Sequence, residues 1–143
     1  MLVGTVHLES SDSAETRKKQ LQMAINVLQT CQNNVLLGDF NFHSTWTDQQ
    51  AKIAENGYLE VFLELNKEED YTMAKTNRYA KWRPDKIIMP SKGMTIAPSD
   101  IQIVGKFCIP EFQNDEYTKV SEDGIIRTPS DHMALLANFN FIH

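Results

Sequence analysis

Three short motifs carry the residue types with which proteins cleave phosphate esters. The first contains His7, the second contains Asp39 and Asn41, and the third contains Asp131 and His132. An imidazole can donate a proton to a phosphate oxygen, a carboxylate can activate water or bind a metal ion, and an amide can position either one. Each motif lies at one end of a segment whose apolar residues predict a buried strand. We therefore expect these strand ends to meet at a single site.

The second motif follows the apolar segment 35–37 and begins at Gly38, where glycine permits a sharp turn. Asp39 and Asn41 are two residues apart, so their side chains point the same way if the backbone is extended. A carboxylate beside an amide can hold a water and a phosphate oxygen for in-line displacement. The same residues are typical of an Asx turn at a strand end, and that structural alternative stays open.

The first motif places His7 at the end of the N-terminal strand and just before a predicted helix. Its imidazole could donate to a phosphate oxygen there, and the structural alternative is a hydrogen-bonded histidine of the core. We interpret Glu9 as a structural residue that pairs or caps near the start of the helix.

The third motif precedes the last predicted strand. His132 could stabilise charge on a pentacoordinate phosphorus if a carboxylate orients its ring. The adjacent Asp131 diverges from it on an extended chain, so Asp85, in another predicted strand, is the best candidate for that carboxylate. We do not interpret Ser130 as a serine-hydrolase nucleophile, because the sequence has no Gly-x-Ser-x-Gly elbow.

The elements that must position these motifs alternate early in the chain and are mostly strands later. Asp12 and Glu15 form a plausible capping box for the first helix, and Leu21, Ile25 and Leu28 form its apolar stripe. Strands are predicted over 2–9, 35–37, 83–89, 101–104 and 133–142, a second helix over 47–56, and loops over 66–82 and 111–124, while 58–65 is ambiguous between helix and strand. In the last strand Met133, Leu135, Ala137, Phe139 and Phe141 share one face. This order predicts an α+β fold in which sheet packs against sheet and helices lie outside.

Charge and composition are those of one globular domain. The chain has 143 residues, 41% of them hydrophobic, and a net charge of −5, which argues against wholesale coating of nucleic acid. The segment from Lys75 to Lys92 contains six lysines and arginines, with Asp85 as its only acid. This segment is either a solvated loop or a local patch that contacts phosphate.

The cysteines and the apolar runs predict an intracellular protein. Cys31 and Cys108 match no metal-binding spacing and no disulfide framework, so a reducing compartment, nucleus or cytoplasm, is expected. The sequence has no apolar run long enough for a membrane span, and its start does not have the pattern of a signal peptide.

The order of the motifs resembles that of the endonuclease/exonuclease/phosphatase superfamily, which has the DNase I-like fold, and most of all the 5′-tyrosyl-DNA phosphodiesterases. The resemblance rests on His7-Leu8-Glu9-Ser10, Gly38-Asp39-x-Asn41, Arg83-x-Asp85-Lys86-Ile87 and Pro129-Ser130-Asp131-His132, with support from 96–100 and 129–138. It implies a two-sheet β-sandwich flanked by helices, with the site at one rim.

The resemblance also implies roles for individual residues in the hydrolysis of phosphodiesters with Mg²⁺, or with Mn²⁺ in its place. Asp39 would activate the attacking water, Asn41 would help to position it, and His132 would stabilise the transition state with Asp85 as its orienting partner. Around them, His7 would contact phosphate, Arg17, Arg83 and Ser130 would contact substrate, and Asp131 would contribute to the metal environment. The implied substrate is a nucleic acid 5′ end, a DNA 5′-phosphate joined to tyrosine or a peptide, as arises in DNA repair.

The chain departs from the family pattern in two ways. It contains no counterpart of the N-terminal half of the catalytic domain, which carries the family's main magnesium ligand, a glutamate. We therefore expect residues 1–143 to be about the C-terminal half of that domain, with weak metal binding and little activity without the other half. In addition, Met73 follows Tyr71-Thr72 where the family usually has an aromatic residue, and Trp46 and Trp82 are candidates to line the site instead.

Two other functions stay open at this stage. The same fold could act on RNA, a phospholipid or an inositol phosphate, since the basic segment does not separate nucleic acid from a lipid headgroup. Alternatively, the chain is a non-catalytic remnant or an interaction module.

Overall fold

The computed structural model describes residues 1–10, 12–66, 68–73, 80–105 and 130–142. The acidic loop predicted over 111–124, Cys108, and the part of the basic segment between Lys75 and Arg78 lie outside these residues.

The described chain has six strands and three helices, which alternate up to the fourth strand. They are β1 (Leu2–His7), α1 (Ala14–Leu28), β2 (Asn34–Asp39), α2 (Thr47–Glu55), β3 (Tyr58–Glu60), α3 (Val61–Leu65), β4 (Asp85–Pro90), β5 (Ile96–Val104) and β6 (Ala134–Phe141). The ambiguous segment 58–65 thus contains both a short strand and a short helix.

The first sheet has the strand order β1-β2-β4-β3. β1 runs parallel to β2, while β4 runs antiparallel to both β2 and β3. The register aligns His7 with Asp39 on the neighbouring strand, and Asp39 in turn with Asp85 on β4. Because aligned residues of adjacent strands point to the same face, these three side chains form one row across the end of the sheet.

One face of this sheet is covered by helices. Leu21, Ile25 and Leu28 of α1 are buried with Leu36 and Ile88 of the sheet in one apolar cluster. The predicted apolar stripe of α1 is therefore confirmed. The predicted capping box is wrong, because the helix begins at Ala14 after Ser13, whose side chain makes no capping hydrogen bond.

The opposite face packs against a second sheet formed by β5 and β6. Val35, Ile87 and Met89 of the first sheet are buried with Ile96 and Ile101 of β5, and Leu135, Ala137 and Phe139 of β6 pack against them. Phe141, predicted to share this face, is 77% exposed. β5 begins five residues earlier than predicted, and a shift in its pairing with β6 between Pro98 and Asp100 accommodates the proline. The predicted α+β fold, with two packed sheets and helices outside, is confirmed.

Candidate active site

The row His7–Asp39–Asp85 requires β1 and β2 to approach closely, and Gly38 allows this. Gly38 has a φ of +134°, and a Cβ at this position would lie 2.0 Å from the carbonyl oxygen of Val6. Any side chain would therefore push the two strands apart just before Asp39.

Asp39 and Asn41 are brought together by a turn. The backbone N–H of Asn41 donates to Oδ1 of Asp39 over 2.8 Å, and Asn41 has a φ of +52°. The extended backbone from which we predicted their proximity is therefore wrong, and the alternative, an Asx turn, is present. The Asn41 amide also donates to the carbonyl oxygen of Leu8 over 2.9 Å, which fixes its orientation beside the end of β1.

Asp85 holds His132 as predicted. Nδ1 of His132 lies 2.9 Å from Oδ2 of Asp85, and the hydroxyl of Thr72 donates to the same oxygen over 2.5 Å. The backbone N–H of Met133 donates to the carbonyl oxygen of Thr72, so the segment around Thr72 joins β4 to the start of β6. The contact of Thr72 with Asp85 was not predicted from the sequence. Thr72 lies in a polar segment that pairs with distant residues, Trp82 and Met133.

Two imidazoles face the carboxylate of Asp39. Nε2 of His132 lies 4.0 Å from Oδ2 of Asp39, and Nε2 of His7 lies 3.6 Å from the same oxygen. The His7 side chain is 73% exposed, whereas the Asp39 side chain is 16% exposed. The structure therefore brings His7, Asp39, Asp85 and His132 to one end of the sheet, with Asn41 in the turn beside them.

The surroundings shift the pKa values of two of these groups upward. Burial raises the pKa of Asp39, and the negative charge of Asp85 adds to this, although the Asn41 N–H opposes it. Burial by itself would lower the pKa of His132, but its hydrogen bond to Asp85 and the charges of Asp85 and Asp39 outweigh burial, so the pKa is raised. These shifts make the His132 imidazole a weaker acid and the Asp39 carboxylate a stronger base than the free side chains.

The predicted substrate-binding residues lie in different places. Arg17 is 5% exposed, donates from Nε to Gln49 and from an Nη nitrogen to the carbonyl oxygen of Glu9, and lines the cavity beside the site. Ser130 is exposed, and its hydroxyl accepts from the backbone N–H of His132. Arg83 is fully buried and ion-paired with Glu60 and Glu69, which keeps its guanidinium away from a substrate. Arg83, two residues before β4, is therefore a structural residue and not the substrate-binding residue that we predicted.

A metal ion has a set of candidate ligands here. Asp39, Asp85 and His132 each offer a ligand atom, and these atoms lie within 4.8 Å of one another. Mg²⁺ prefers oxygen ligands and usually takes one or two carboxylates, several waters and phosphate oxygens of the substrate. The two carboxylates fit such a weakly held ion, while His132, committed to Asp85, fits it less well. Asp131, predicted to contribute, is exposed and is not part of this group.

Solved structures share this arrangement of sheets and helices. The structure of TDP2 from D. rerio in complex with a single-strand DNA product is 23% identical to this chain with a TM-score of 0.63, and the match covers 95% of this chain and 54% of that one. An endonuclease/exonuclease/phosphatase family protein from Leptotrichia buccalis is 19% identical, with a TM-score of 0.55 and coverage of 87% and 42%. This chain has the DNase I-like fold.

A third structure with this fold is a mannosyl-6-phosphatase from Bacteroides thetaiotaomicron, at 19% identity, a TM-score of 0.56 and coverage of 96% of this chain and 50% of that one. The chain thus spans about half the length of the solved structures it matches. No protein-family model matches the sequence, and no curated protein matches it. Among the described helices, none is long and apolar enough to cross a membrane.

Proposed function

We propose that this chain carries catalytic residues of a phosphodiesterase that hydrolyses 5′-phosphotyrosyl-DNA ends with Mg²⁺ or Mn²⁺. The observation that carries the proposal is the contact of His132 with both Asp85 and Asp39 at the end of the sheet, with His7 on the other side of Asp39. A partly buried carboxylate between two imidazoles can take up a proton while the imidazoles neutralise charge on a phosphate.

In the proposed reaction a water attacks the phosphorus in line with the ester oxygen that leaves. Asp39 accepts a proton from that water as the new P–O bond forms. His132, oriented through Nδ1 by Asp85, donates from Nε2 to a phosphate oxygen where negative charge develops. His7 makes a second contact with the phosphate from the exposed side. The leaving oxygen departs with the electron pair of the broken bond and takes a proton from solvent.

A divalent cation at the Asp39–Asp85 carboxylates would supply Lewis-acid stabilisation of the phosphate charge. Among the residues that the structure describes, the candidate ligands are Asp39, Asp85 and His132, so the occupancy of the ion would depend on phosphate oxygens of the substrate.

The preference for DNA ends is supported by two observations. The TDP2 structure from D. rerio with the same fold holds a single-strand DNA product. In this chain, Arg17 and Lys81 line the cavity that opens beside His132, where they would attract a polyanion. A phosphomonoester is the second candidate substrate, because a structure with this fold is a mannosyl-6-phosphatase.

The test is an activity assay on the full gene product, whether that is these 143 residues or a longer chain that contains them. The substrates are a 5′-phosphotyrosyl DNA oligonucleotide, a sugar 6-phosphate, an RNA oligonucleotide and a phospholipid, each with and without Mg²⁺. We expect the phosphotyrosyl DNA to be hydrolysed fastest, and chelation of the metal to stop the reaction. Fastest turnover of another substrate would overturn the DNA assignment but keep the reaction type.

Asp39→Asn tests the role of the carboxylate in the same assay. We expect turnover to fall by about 10²-fold or more, the usual scale for the loss of a general base. Asp100→Asn is the matched control, because Asp100 lies on β5 and bonds only to Gln102 and Asn138 in the described chain. Unchanged turnover in Asp39→Asn would remove Asp39 from its proposed role.

A further inference from the structure

A cavity opens beside His132, and two indole rings lie on its wall. The cavity has a volume of about 560 Å³, within the range of about 300–1,000 Å³ that is typical of ligand pockets. The rings of Trp46 and Trp82 lie 5.9 Å apart between centroids, with 31° between their planes. These are the two tryptophans of the chain, and we call them the indole wall. Trp46 is 43% exposed, so part of its surface is open to a ligand.

The indole wall is tied to the catalytic histidine through one residue. Nε1 of Trp82 donates to the sulfur of Met73 over 2.9 Å, and the backbones of Met73 and Trp82 pair as an antiparallel bridge. Met73 forms a second such bridge with His132. Trp82 is thereby held at a defined position relative to His132, as a group that binds next to a reacting phosphate requires.

Cationic groups flank the indole wall. The guanidinium of Arg17 lies 5.7 Å from the Trp46 ring centroid and is oriented by a 2.7 Å hydrogen bond to Gln49. Lys81 precedes Trp82 in the chain, and its Nζ lies 4.5 Å from the ring centroid of Tyr71. Flat aromatic surfaces with cations beside them bind single-stranded nucleic acid, because bases stack on the rings while phosphates lie near the charges.

We propose that the indole wall is a subsite on which a nucleobase adjacent to the reacting phosphate stacks. The proposal rests on the proposed function, since it places the reacting phosphate at His132. It adds that the enzyme recognises a single-stranded nucleotide through its base, without reading the identity of that base. A pair of indoles offers a stacking surface larger than one phenol ring covers, which favours a base over a tyrosine side chain as the occupant.

The experiment uses the intrinsic tryptophan fluorescence of the 143-residue chain, because both of its tryptophans belong to the indole wall. The probe is a 5′-phosphorylated single-stranded DNA pentamer, titrated in the presence of a chelator so that no hydrolysis takes place. A pentamer of abasic deoxyribose phosphates carries the same backbone and serves as the comparison. We expect the base-bearing pentamer to quench tryptophan emission and to bind about tenfold more tightly than the abasic one.

Three variants locate the effect. Trp46→Ala should bring the ratio of the two affinities close to one, while Trp46→Phe should restore most of it. Phe141→Ala removes an exposed aromatic ring at the far end of β6 and should leave the ratio unchanged. The side chain of Trp46 is not used by helix α2, which begins after it through backbone hydrogen bonds, so Trp46→Ala should fold. Near-ultraviolet circular dichroism checks this.

The outcomes separate this inference from the proposed function. Equal affinity for the two pentamers, or an unchanged ratio in Trp46→Ala, overturns base stacking even if the protein hydrolyses DNA ends. A 5′-phosphotyrosyl abasic pentamer that binds as tightly as the base-bearing one overturns it in favour of the tyrosine ring. A base preference that Trp46→Ala abolishes, in a full gene product that hydrolyses none of the four substrates, supports the stacking subsite and counts against the proposed reaction.

Discussion

Asp85 connects the fold to the chemistry through a single oxygen atom. Its Oδ2 accepts from Thr72 and faces Nδ1 of His132, so that the other ring nitrogen, Nε2, faces Asp39. The same carboxylate raises the pKa of His132 and, by its charge, contributes to the raised pKa of Asp39. One residue thus sets both the orientation and the protonation of the pair that we propose to be catalytic.

The pH dependence of activity should be bell-shaped, with both limbs displaced upward. Asp39 must be ionised to accept a proton, and its pKa is raised, so the acid limb should lie above the usual range of an aspartate. His132 must be protonated to donate, and its pKa is raised, so activity should persist above the usual histidine pKa and fall as the pH rises further. The measurement is kcat/KM of the full gene product against pH, and its limbs report apparent pKa values of the coupled pair.

Asp85→Asn should move the alkaline limb toward lower pH. The amide keeps the size of the side chain but removes the charge that opposes the effect of burial on His132. We expect the pKa of His132 to fall, because its hydrogen bond to Asp85 and the charge of Asp85 both raise it. A proton NMR titration of the histidines measures it in the 143-residue chain. Thr72→Ser keeps the hydroxyl and should leave the His132 pKa unchanged. An unshifted His132 pKa in Asp85→Asn would contradict the role of Asp85 in raising it.

Strand β4 carries Asp85 of the site, and close to Asp85 in the chain lie two cations, Arg83 and Lys86, that belong to a buried ion network. Arg83 and Lys86 are fully buried and both pair with Glu60, whose carboxylate is also buried. Burial by itself would raise the pKa of Glu60, but the two cations outweigh it and the pKa is lowered. The network joins Glu60, at the end of β3, to Arg83 and to Lys86 of β4. At these two positions the basic segment is therefore neither a solvated loop nor a phosphate-contacting patch, as predicted from sequence, but part of the buried structure.

Glu60→Ala should destabilise the fold strongly. It leaves two buried cations without their shared partner, and breaking a buried ion pair in this way costs about 3–5 kcal/mol. Glu64 is the matched control, because it is an exposed acid on α3, and Glu64→Ala should change stability by less than about 0.5 kcal/mol. Urea unfolding of the 143-residue chain measures both. Similar midpoints for the two variants would show that the network does not stabilise the fold.

Local patterns predicted most of the elements but not how their ends meet. The alternation in β1 and the apolar stripe of α1 could be predicted because each depends on the periodicity of one segment. The row His7–Asp39–Asp85 depends on the register of two strand ladders, which no single segment encodes. The partner of His132 was predicted from the need for an acid, and Trp46 and Trp82, which line the cavity, were predicted as candidates to line the site. The contact of Thr72 with Asp85 was not predicted, because it depends on the pairing of the neighbouring Met73 with two distant segments.

Apolar surface is open on both sheets of the described chain. Val3 on β1 is 53% exposed, and on β6 Leu136 and Phe141 are 52% and 77% exposed. β1 is also an edge strand in the described part of the first sheet, with β2 on one side only. Exposed edges and apolar faces of this kind pair with other chains.

The 143-residue chain should therefore self-associate as its concentration rises. A charge on either surface opposes this, because burying a lysine in an apolar contact is unfavourable. We expect Val3→Lys and Phe141→Lys each to shift the association to higher concentration in sedimentation velocity. Val27→Lys is the matched control, since Val27 is 65% exposed on α1, away from both sheets, and it should leave the association unchanged. If the unmodified chain sediments as a monomer at every concentration, or if the three lysine variants behave alike, the exposed sheet surfaces are not the sites through which this molecule pairs.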